Sequence, residues 1–110
     1  HNVAVKYITK GLIQAKILKG SIDKNIKSQG YKKYYMHNTG HWLGLDVHDP
    51  CSYIQNDKPV KLKPGMIFTV EPGIYINTDS NVEKHFHNIA VRIEDDVLIT
   101  NVLLKQGFLK

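Results

Sequence analysis

The stretch that decides the fold is MIFTVEPGIYI, residues 66–76. Strand alternation places Thr69 and Glu71 on one face, with the intervening apolar side chains on the other. Pro72 holds the residue before it extended and cannot donate to a ladder, and Gly73 permits a bend before a second apolar run. The stretch therefore predicts two short strands, with the Glu71 carboxylate held where the first one ends.

Similar β-rich runs, separated by glycine and proline, occupy most of the chain from position 34 onward. The predicted strands are residues 34–37, 43–48, 66–71, 74–76, 89–94 and 97–100. Lys63-Pro64-Gly65 has proline and glycine at the central positions of a type II turn, and the polar residues 77–88 predict a loop. Short runs joined by turns favour a largely antiparallel sheet.

The start of the chain has helical periodicity instead. One apolar stripe, with spacings of four or three residues, predicts a helix over residues 1–19: Ala4, Ile8, Leu12, Ala15 and Leu18. Gly20 is a suitable stop, and Ser21 is a suitable cap for a second, short helix that ends before Gly30. The fold class predicted is α+β, with helix first and sheet afterwards.

Composition limits the class of protein. The chain has 110 residues, of which 42% are hydrophobic, and this is ordinary for a globular domain. Cys51 is the one cysteine, which excludes an internal disulfide and favours the cytoplasm; we expect a buried, inert thiol rather than a soft metal ligand. No apolar run is long enough to span a membrane and no secretory signal is visible. Because the chain opens at His1 inside a helical pattern, we expect it to be a piece of a longer protein.

The net charge of +5 is concentrated near the start of the chain. Residues 1–33 hold eight lysines against one acid, Asp23, whereas the remainder holds seven basic residues against nine acids. The lysines recur at helical intervals, without the arginine and aromatic interleaving that base stacking needs. A solvated helix face is the interpretation we favour, so we expect neither a nucleic-acid nor a membrane partner.

Residues 37–49, HNTGHWLGLDVHD, hold three of the six histidines, two aspartates and the only tryptophan. In a strand His37 and His41 would share a face and His48 would lie on the other, but the two glycines of the segment could bend the chain around one pocket. Asp46 and Asp49 are ligands by type, although capping of turns explains them equally well. The cluster indicates a site built from nitrogen and oxygen donors.

Glu94 is the second carboxylate in apolar surroundings. Alternation in residues 91–94 puts Arg92 and Glu94 on one face of a strand. Burial of a glutamate is costly unless it is paired or bound to a metal. Two interpretations stay open from the residues alone: a metal ligand, or a solvated strand-edge residue paired with Arg92.

Together these motifs resemble aminopeptidase P, a branch of the pita-bread metallopeptidases (family M24) that also include prolidase and methionine aminopeptidase. Four segments carry the resemblance, in the order and approximate spacing of the family: 37–49, 62–66, 69–76 and 92–100. The run WLGLDVHD at 42–49 is more similar to the aminopeptidase P branch than to prolidase. The resemblance implies that residues 1–110 are the C-terminal half of a catalytic domain with a mainly antiparallel, curved sheet.

The resemblance also implies a centre of two divalent metal ions, most often Mn²⁺. His41 and Glu71 would bind one ion, and Glu94 would bridge both. Relatives complete the centre with two aspartates from an upstream strand pair, and no candidate for them precedes His37. We therefore expect a C-terminal fragment that is inactive alone and needs the upstream half of the enzyme as its partner; a homo-oligomer stays open.

The remaining roles implied by the resemblance concern the substrate, a peptide with proline at its second position, whose N-terminal residue is released. His37 and His48 would contact this substrate and assist proton transfer. Glu71 is also a candidate to accept the proton of the attacking water, and Tyr75 and Arg92 would orient the site or the substrate.

Two alternatives of other kinds stay open. One is a prolidase fragment, specific for Xaa-Pro dipeptides. The other is a non-catalytic binding module, since some pita-bread relatives have lost their metal and bind other proteins. In that case the lysine-rich helix of this chain would be the binding surface. Retention of His41, Glu71 and Glu94 weighs against the second.

Overall fold

A computed structural model describes residues 1–78 and 80–101 and has the predicted order of helices followed by strands. The helices are α1 (Asn2–Gln14) and α2 (Ile22–Lys27), with 3₁₀ turns at Gly30–Lys33 and Lys84–Phe86. The strands are β1 (Ile54–Gln55), β2 (Lys58–Pro59), β3 (Ile67–Val70), β4 (Gly73–Ile76), β5 (Ile89–Arg92) and β6 (Asp95–Leu98). The α+β prediction is confirmed.

Both helices form, but α1 is shorter than the predicted 1–19. It ends at Gln14 because Lys16 takes a left-handed backbone conformation with φ of 60°, and the amides of Ile17 and Leu18 then both donate to the Leu12 carbonyl. Leu18 still packs against the core, so the apolar stripe outlasts the helix. The short helix α2 begins as predicted, with the Ser21 side chain accepting from a backbone amide.

The strands form three antiparallel pairs among the described residues. Strand β1 pairs with β2, β3 with β6 and β4 with β5. The predicted type II turn is present, with Gly65 at φ of 89° and the Met66 amide donating to the Lys63 carbonyl at 3.1 Å. Pro72 separates β3 from β4, so these two strands take different partners and place Glu71 between the two ladders.

Two predicted strands are wrong. Residues 34–37 follow a 3₁₀ turn and place Tyr34 and Tyr35 in the core, and residues 43–48 form a series of bends. The β-propensity of these runs is outweighed by tertiary packing in the first case and by the bends around Gly44 in the second. The final predicted strand, 97–100, lies two residues earlier, because β6 pairs Asp95 with Val70.

The core has two adjoining clusters beneath α1. Val5, Tyr31 and Tyr35 form the first, and Leu12, Tyr34 and Ile76 form the second. The Tyr75 amide donates to the Tyr34 carbonyl at 2.9 Å and so ties β4 to the helical layer. The paired tyrosines thus anchor the start of the histidine segment. In the described part of the chain, no helix has the length and apolar character needed to cross a membrane.

Candidate metal centre

The histidine segment runs beside β3 and is held to it by backbone hydrogen bonds. The Glu71 amide donates to the Thr39 carbonyl at 2.6 Å, and the Thr69 amide donates to the His41 carbonyl at 2.9 Å. These bonds bring an irregular segment within reach of the strand end. As a result His41 and Glu71, thirty positions apart in the chain, face each other.

The His41 imidazole is fixed in one tautomer. Its Nδ1 lies 3.0 Å from the carbonyl oxygen of Trp42, which can only accept, so Nδ1 carries the proton. Its Nε2 lies 3.2 Å from Oε1 of Glu71. In the neutral ring these two atoms are both acceptors, so together they present one nitrogen and one oxygen donor to a shared cation. The arrangement is that of a metal-ligating histidine oriented by a backbone carbonyl.

Thr69 orients both of these groups, a role that the sequence did not reveal. It is 2% exposed; its Oγ1 donates to Oε1 of Glu71 at 3.1 Å and accepts from the His41 amide at 3.0 Å. The signal available in the sequence was the shared face of Thr69 and Glu71, two residues apart on a strand. Only the approach of His41 gives that face a chemical function.

Glu94 completes a group of three potential ligands. One donor atom from each of His41, Glu71 and Glu94 lies within 4.8 Å of the others. One imidazole nitrogen and two carboxylates are donors that suit Mn²⁺, and also Zn²⁺, Co²⁺ or Fe²⁺. Glu71 is buried at 8% exposure while Glu94 is exposed, so the group opens to the surface on the Glu94 side. The donor set and its spacing fit a divalent cation.

Arg92, Tyr75 and His37 form a hydrogen-bonded chain that ends at Glu71. Arg92 makes an ion pair with Oε2 of Glu71 at 3.3 Å, and its Nε donates to the Tyr75 hydroxyl at 2.7 Å. His37 Nδ1 donates to the Asn38 carbonyl at 2.7 Å, so its Nε2 accepts from Tyr75 at 3.2 Å. The structure therefore pairs Arg92 with Glu71, and not with Glu94, which was one of the two interpretations left open by the sequence.

His48 lies at the end of the series of bends at residues 44–48 and contacts His41. Its ring lies edge-on to the His41 ring, with centroids 4.3 Å apart. His41 and His48 therefore meet ring to ring, whereas His37 is connected to Glu71 through Tyr75 and Arg92. Within the described residues Asp46 and Asp49 stay outside the group of ligands; Asp49 lies against Gly44 and the Cys51 thiol instead.

A cavity of about 710 Å³ adjoins the group on its apolar side. Its lining residues include Trp42, Phe68, Leu62, Val3 and His41. Neither Glu71 nor Glu94 lines it. Of the three candidate ligands, His41 is therefore the one that lines this cavity.

Cys51 is exposed, so the prediction of a buried thiol is wrong. Its Sγ donates to Oδ1 of Asp49 at 2.8 Å, and this bond raises the pKa of the thiol because the negative carboxylate disfavours a thiolate beside it. A raised pKa means less thiolate near neutral pH, so Cys51 should react slowly there and speed up only at higher pH.

We expect Asp49→Asn to move the pH profile of iodoacetamide alkylation of Cys51 to lower pH, so that alkylation at pH 7.5 becomes faster. Asp46→Asn, which alters an exposed aspartate of the same segment, is the matched control and should leave the profile in place. Mass spectrometry of the alkylated peptide gives the rates. An unchanged profile in Asp49→Asn would contradict the assignment.

The chain is similar to several curated and solved proteins. It is 52% identical over 96 residues to the Xaa-Pro aminopeptidase of Haemophilus influenzae and 46% identical over 96 residues to that of Escherichia coli. The structure of Pseudomonas aeruginosa aminopeptidase PepP matches with a TM-score of 0.85 at 49% identity. Each match covers 87% of this chain but 22% of the relative, so the chain spans about a fifth of the length of these proteins.

The match extends along the described fold. The structural relatives have the α+β pita-bread architecture that the sequence predicted, including its helix and antiparallel strands. The sequence model of metallopeptidase family M24 matches residues 1–101. These residues include the group His41, Glu71 and Glu94. The chain belongs to metallopeptidase family M24.

Proposed function

We propose that this chain is the C-terminal half of the catalytic domain of an Xaa-Pro aminopeptidase, which releases the N-terminal residue from peptides with proline in second position. The observation that carries the proposal is the group His41, Glu71 and Glu94, in which a tautomer-fixed imidazole nitrogen faces a buried carboxylate. The names of the relatives supply the reaction. A non-catalytic module would have no use for this orientation.

His41, Glu71 and Glu94 would hold the metal ions, with Glu94 shared between two of them. Divalent cations, Mn²⁺ in our proposal, supply Lewis acidity toward the scissile carbonyl and toward a water. The chain alone offers one nitrogen and two carboxylates among its described residues. The two further carboxylates of a dinuclear centre must come from the upstream part of the enzyme, and for this reason we propose that the isolated chain is inactive.

Glu71 is suited to accept the proton of the attacking water. Its Oε1 accepts the Thr69 hydroxyl hydrogen bond and its Oε2 faces Arg92, so both carboxylate oxygens are held in place beside His41. The same arginine donates to the Tyr75 oxygen, which leaves the tyrosine proton free to bond to His37. Arg92 thus links the Glu71 carboxylate to the hydrogen bond that orients His37.

His37 and His48 flank the centre from opposite ends of the segment. His37 is held in place by Tyr75, whereas His48 is exposed and lies beside the His41 ring. An exposed imidazole next to a metal ligand can reach the substrate, and its ring nitrogens can donate or accept a proton. We assign substrate contact and proton transfer to both.

Proline-containing peptides are the substrate class that the relatives indicate. E. coli aminopeptidase P, which has a TM-score of 0.81 with this chain, has been solved with the inhibitor Pro-Leu. We propose the same class for the parent enzyme, and we place that enzyme in the cytoplasm because the lone cysteine carries no disulfide.

The proposal is tested by a chimera in which this chain replaces the matching segment of the H. influenzae relative. We expect the chimera to release the first residue from an Xaa-Pro-Xaa tripeptide in a Mn²⁺-dependent manner, and the 110-residue chain alone to give no turnover. Titration calorimetry with Mn²⁺ should give two sites in the chimera. Robust turnover by the chain alone would contradict our account of its incompleteness.

The same chimera separates the alternatives. Activity restricted to Xaa-Pro dipeptides would identify a prolidase, and we expect activity on tripeptides and longer peptides instead. Failure to bind Mn²⁺ in a folded chimera would favour the binding module. As a control, reversing the charges of Lys6 and Lys10, which lie on the exposed face of α1, should leave turnover unchanged.

A further inference from the structure

Thr39 is the point at which the histidine segment is tied to the helical layer. Its carbonyl accepts the Glu71 amide, so its position sets that of the candidate ligand. Its hydroxyl lies 2.5 Å from the Tyr35 hydroxyl and 3.0 Å from Nδ1 of His1. The segment on either side of Thr39 is neither helix nor strand, so these side-chain bonds take the place of a regular ladder.

Tyr35 is rigidly placed to act as this anchor. It is 1% exposed and belongs to the core cluster that includes Val5 and Tyr31. Burial raises the pKa of its phenol, so the hydroxyl stays protonated across the neutral range and remains available to bond to Thr39. Because the Tyr35 ring is fixed in the core, the hydrogen bond at its hydroxyl holds Thr39 in a fixed position relative to the core.

The same ring also contacts His37. The Tyr35 and His37 rings are edge-on with centroids 5.0 Å apart, and Tyr75 contacts His37 from its own side at 5.5 Å. Edge-to-face packing of this kind favours one ring orientation. Tyr35 therefore touches both a proposed substrate-contacting histidine and the residue that holds the Glu71 backbone.

We propose that Tyr35 is a positioning residue of this site, holding Thr39 through its hydroxyl and His37 through its ring. The inference rests on the proposed function, because the positions of Thr39 and His37 affect a reaction only if the site is catalytic. Tyr35 itself touches neither metal nor substrate in this account. It acts by keeping the segment that carries His37 and Thr39 in register with β3 and with Glu71 at the end of that strand.

Removal of either hydroxyl tests the role of the bond. In the chimera, Tyr35→Phe and Thr39→Val should each lower kcat by about ten- to a hundredfold, the range for groups that orient a metal ligand. KM should change by less than about twofold, since substrate binding is not the property lost. The double variant should be no slower than the slower single variant, because both changes break one bond.

Two further variants separate positioning from general damage. Thr39→Ser keeps the hydroxyl and should restore kcat to within about twofold of the parent. Tyr31→Phe is the matched control, because Tyr31 is buried in the same cluster with its ring 6.5 Å from that of Tyr35 and has no assigned role in the site. An unchanged kcat in Tyr35→Phe, an equal loss in Tyr31→Phe, or losses that multiply in the double variant would overturn the proposal.

A second readout does not depend on turnover. In the 110-residue chain, the ring ¹⁵N and ¹H signals of His37 should shift in the same direction in Tyr35→Phe and Thr39→Val, and should stay in place in Tyr31→Phe. An inactive parent chimera would refute the proposed function, whereas unshifted His37 signals in Tyr35→Phe would by themselves refute the positioning role.

Discussion

Replacement of Glu94 by alanine in the chimera should remove both metal ions and abolish peptidase activity. The carboxylate lies in the group with His41 and Glu71, and in our proposal it is shared by both ions. Because even the outer partners of metal ligands are worth about 10–100-fold, loss of a shared ligand should lower kcat/KM by more than about a thousandfold. We would measure the metal content after dialysis by elemental mass spectrometry, and the peptidase activity by hydrolysis of a tripeptide.

Glu83→Ala is the matched control for this change. Glu83 is also exposed, and it pairs with His85 at 3.3 Å outside the candidate centre. We expect it to keep full metal content and turnover. Glu94→Gln preserves the size of the side chain and removes its charge. Its metal content and kcat/KM should be close to those of the alanine variant. Full metal stoichiometry in Glu94→Ala would reject the bridging assignment.

Gly40→Ala should damage the chain through its backbone. A Cβ at this position would lie 2.8 Å from the carbonyl carbon of Thr69 and would collide with the carbonyl oxygen. Because both of these Thr69 atoms belong to the main chain, residues 37–41 must move away from β3. This movement weakens the backbone hydrogen bonds that hold Glu71 and His41. We expect unfolding to become easier by about 1–3 kcal/mol, the usual range for overpacking. In the chimera, we expect a loss of kcat of about 10–100-fold.

Urea unfolding of the 110-residue chain, followed by fluorescence of its one tryptophan, measures this effect. Trp42 is 9% exposed and lies two residues from the substitution, so it reports the local environment directly. Gly11→Ala is the matched control, because Gly11 lies inside α1 with no atom within 4 Å of the new methyl group. It should stabilise the chain by about 0.5–1 kcal/mol, the opposite sign. Destabilisation of equal size in both variants would contradict the close-approach argument.

The parts of the fold that the sequence predicted well are those encoded by neighbouring residues. The apolar stripe of α1, the Ser21 cap and the type II turn at 63–65 depend on interactions within a few positions, and all three are present. The strands around Pro72 were also predicted, since proline acts on its own neighbours. The length of α1 was wrong because Lys16 takes a left-handed conformation that no local pattern announces.

The failures occurred where long-range packing decides. Residues 34–37 have high strand propensity, yet the side chains of Tyr34 and Tyr35 are buried against α1 and the residues do not join a β-ladder. Cys51 was expected to be buried, but it is exposed and its thiol donates a hydrogen bond to Asp49. Burial depends on which surfaces meet, and a sequence pattern reports only which side chains could be buried.

For the site, the sequence by itself determined the donors: a histidine and two glutamates, with further histidines, a tyrosine and an arginine nearby in the motifs. Only the tertiary structure decided their mutual arrangement. It paired Arg92 with Glu71, and it brought in Thr69 and Tyr35, which the motifs had not indicated. The physical reason is that donor chemistry belongs to single side chains, whereas orientation depends on contacts between separate segments, such as the His41 amide with Thr69 and Arg92 with Glu71, which exist only once the chain has folded.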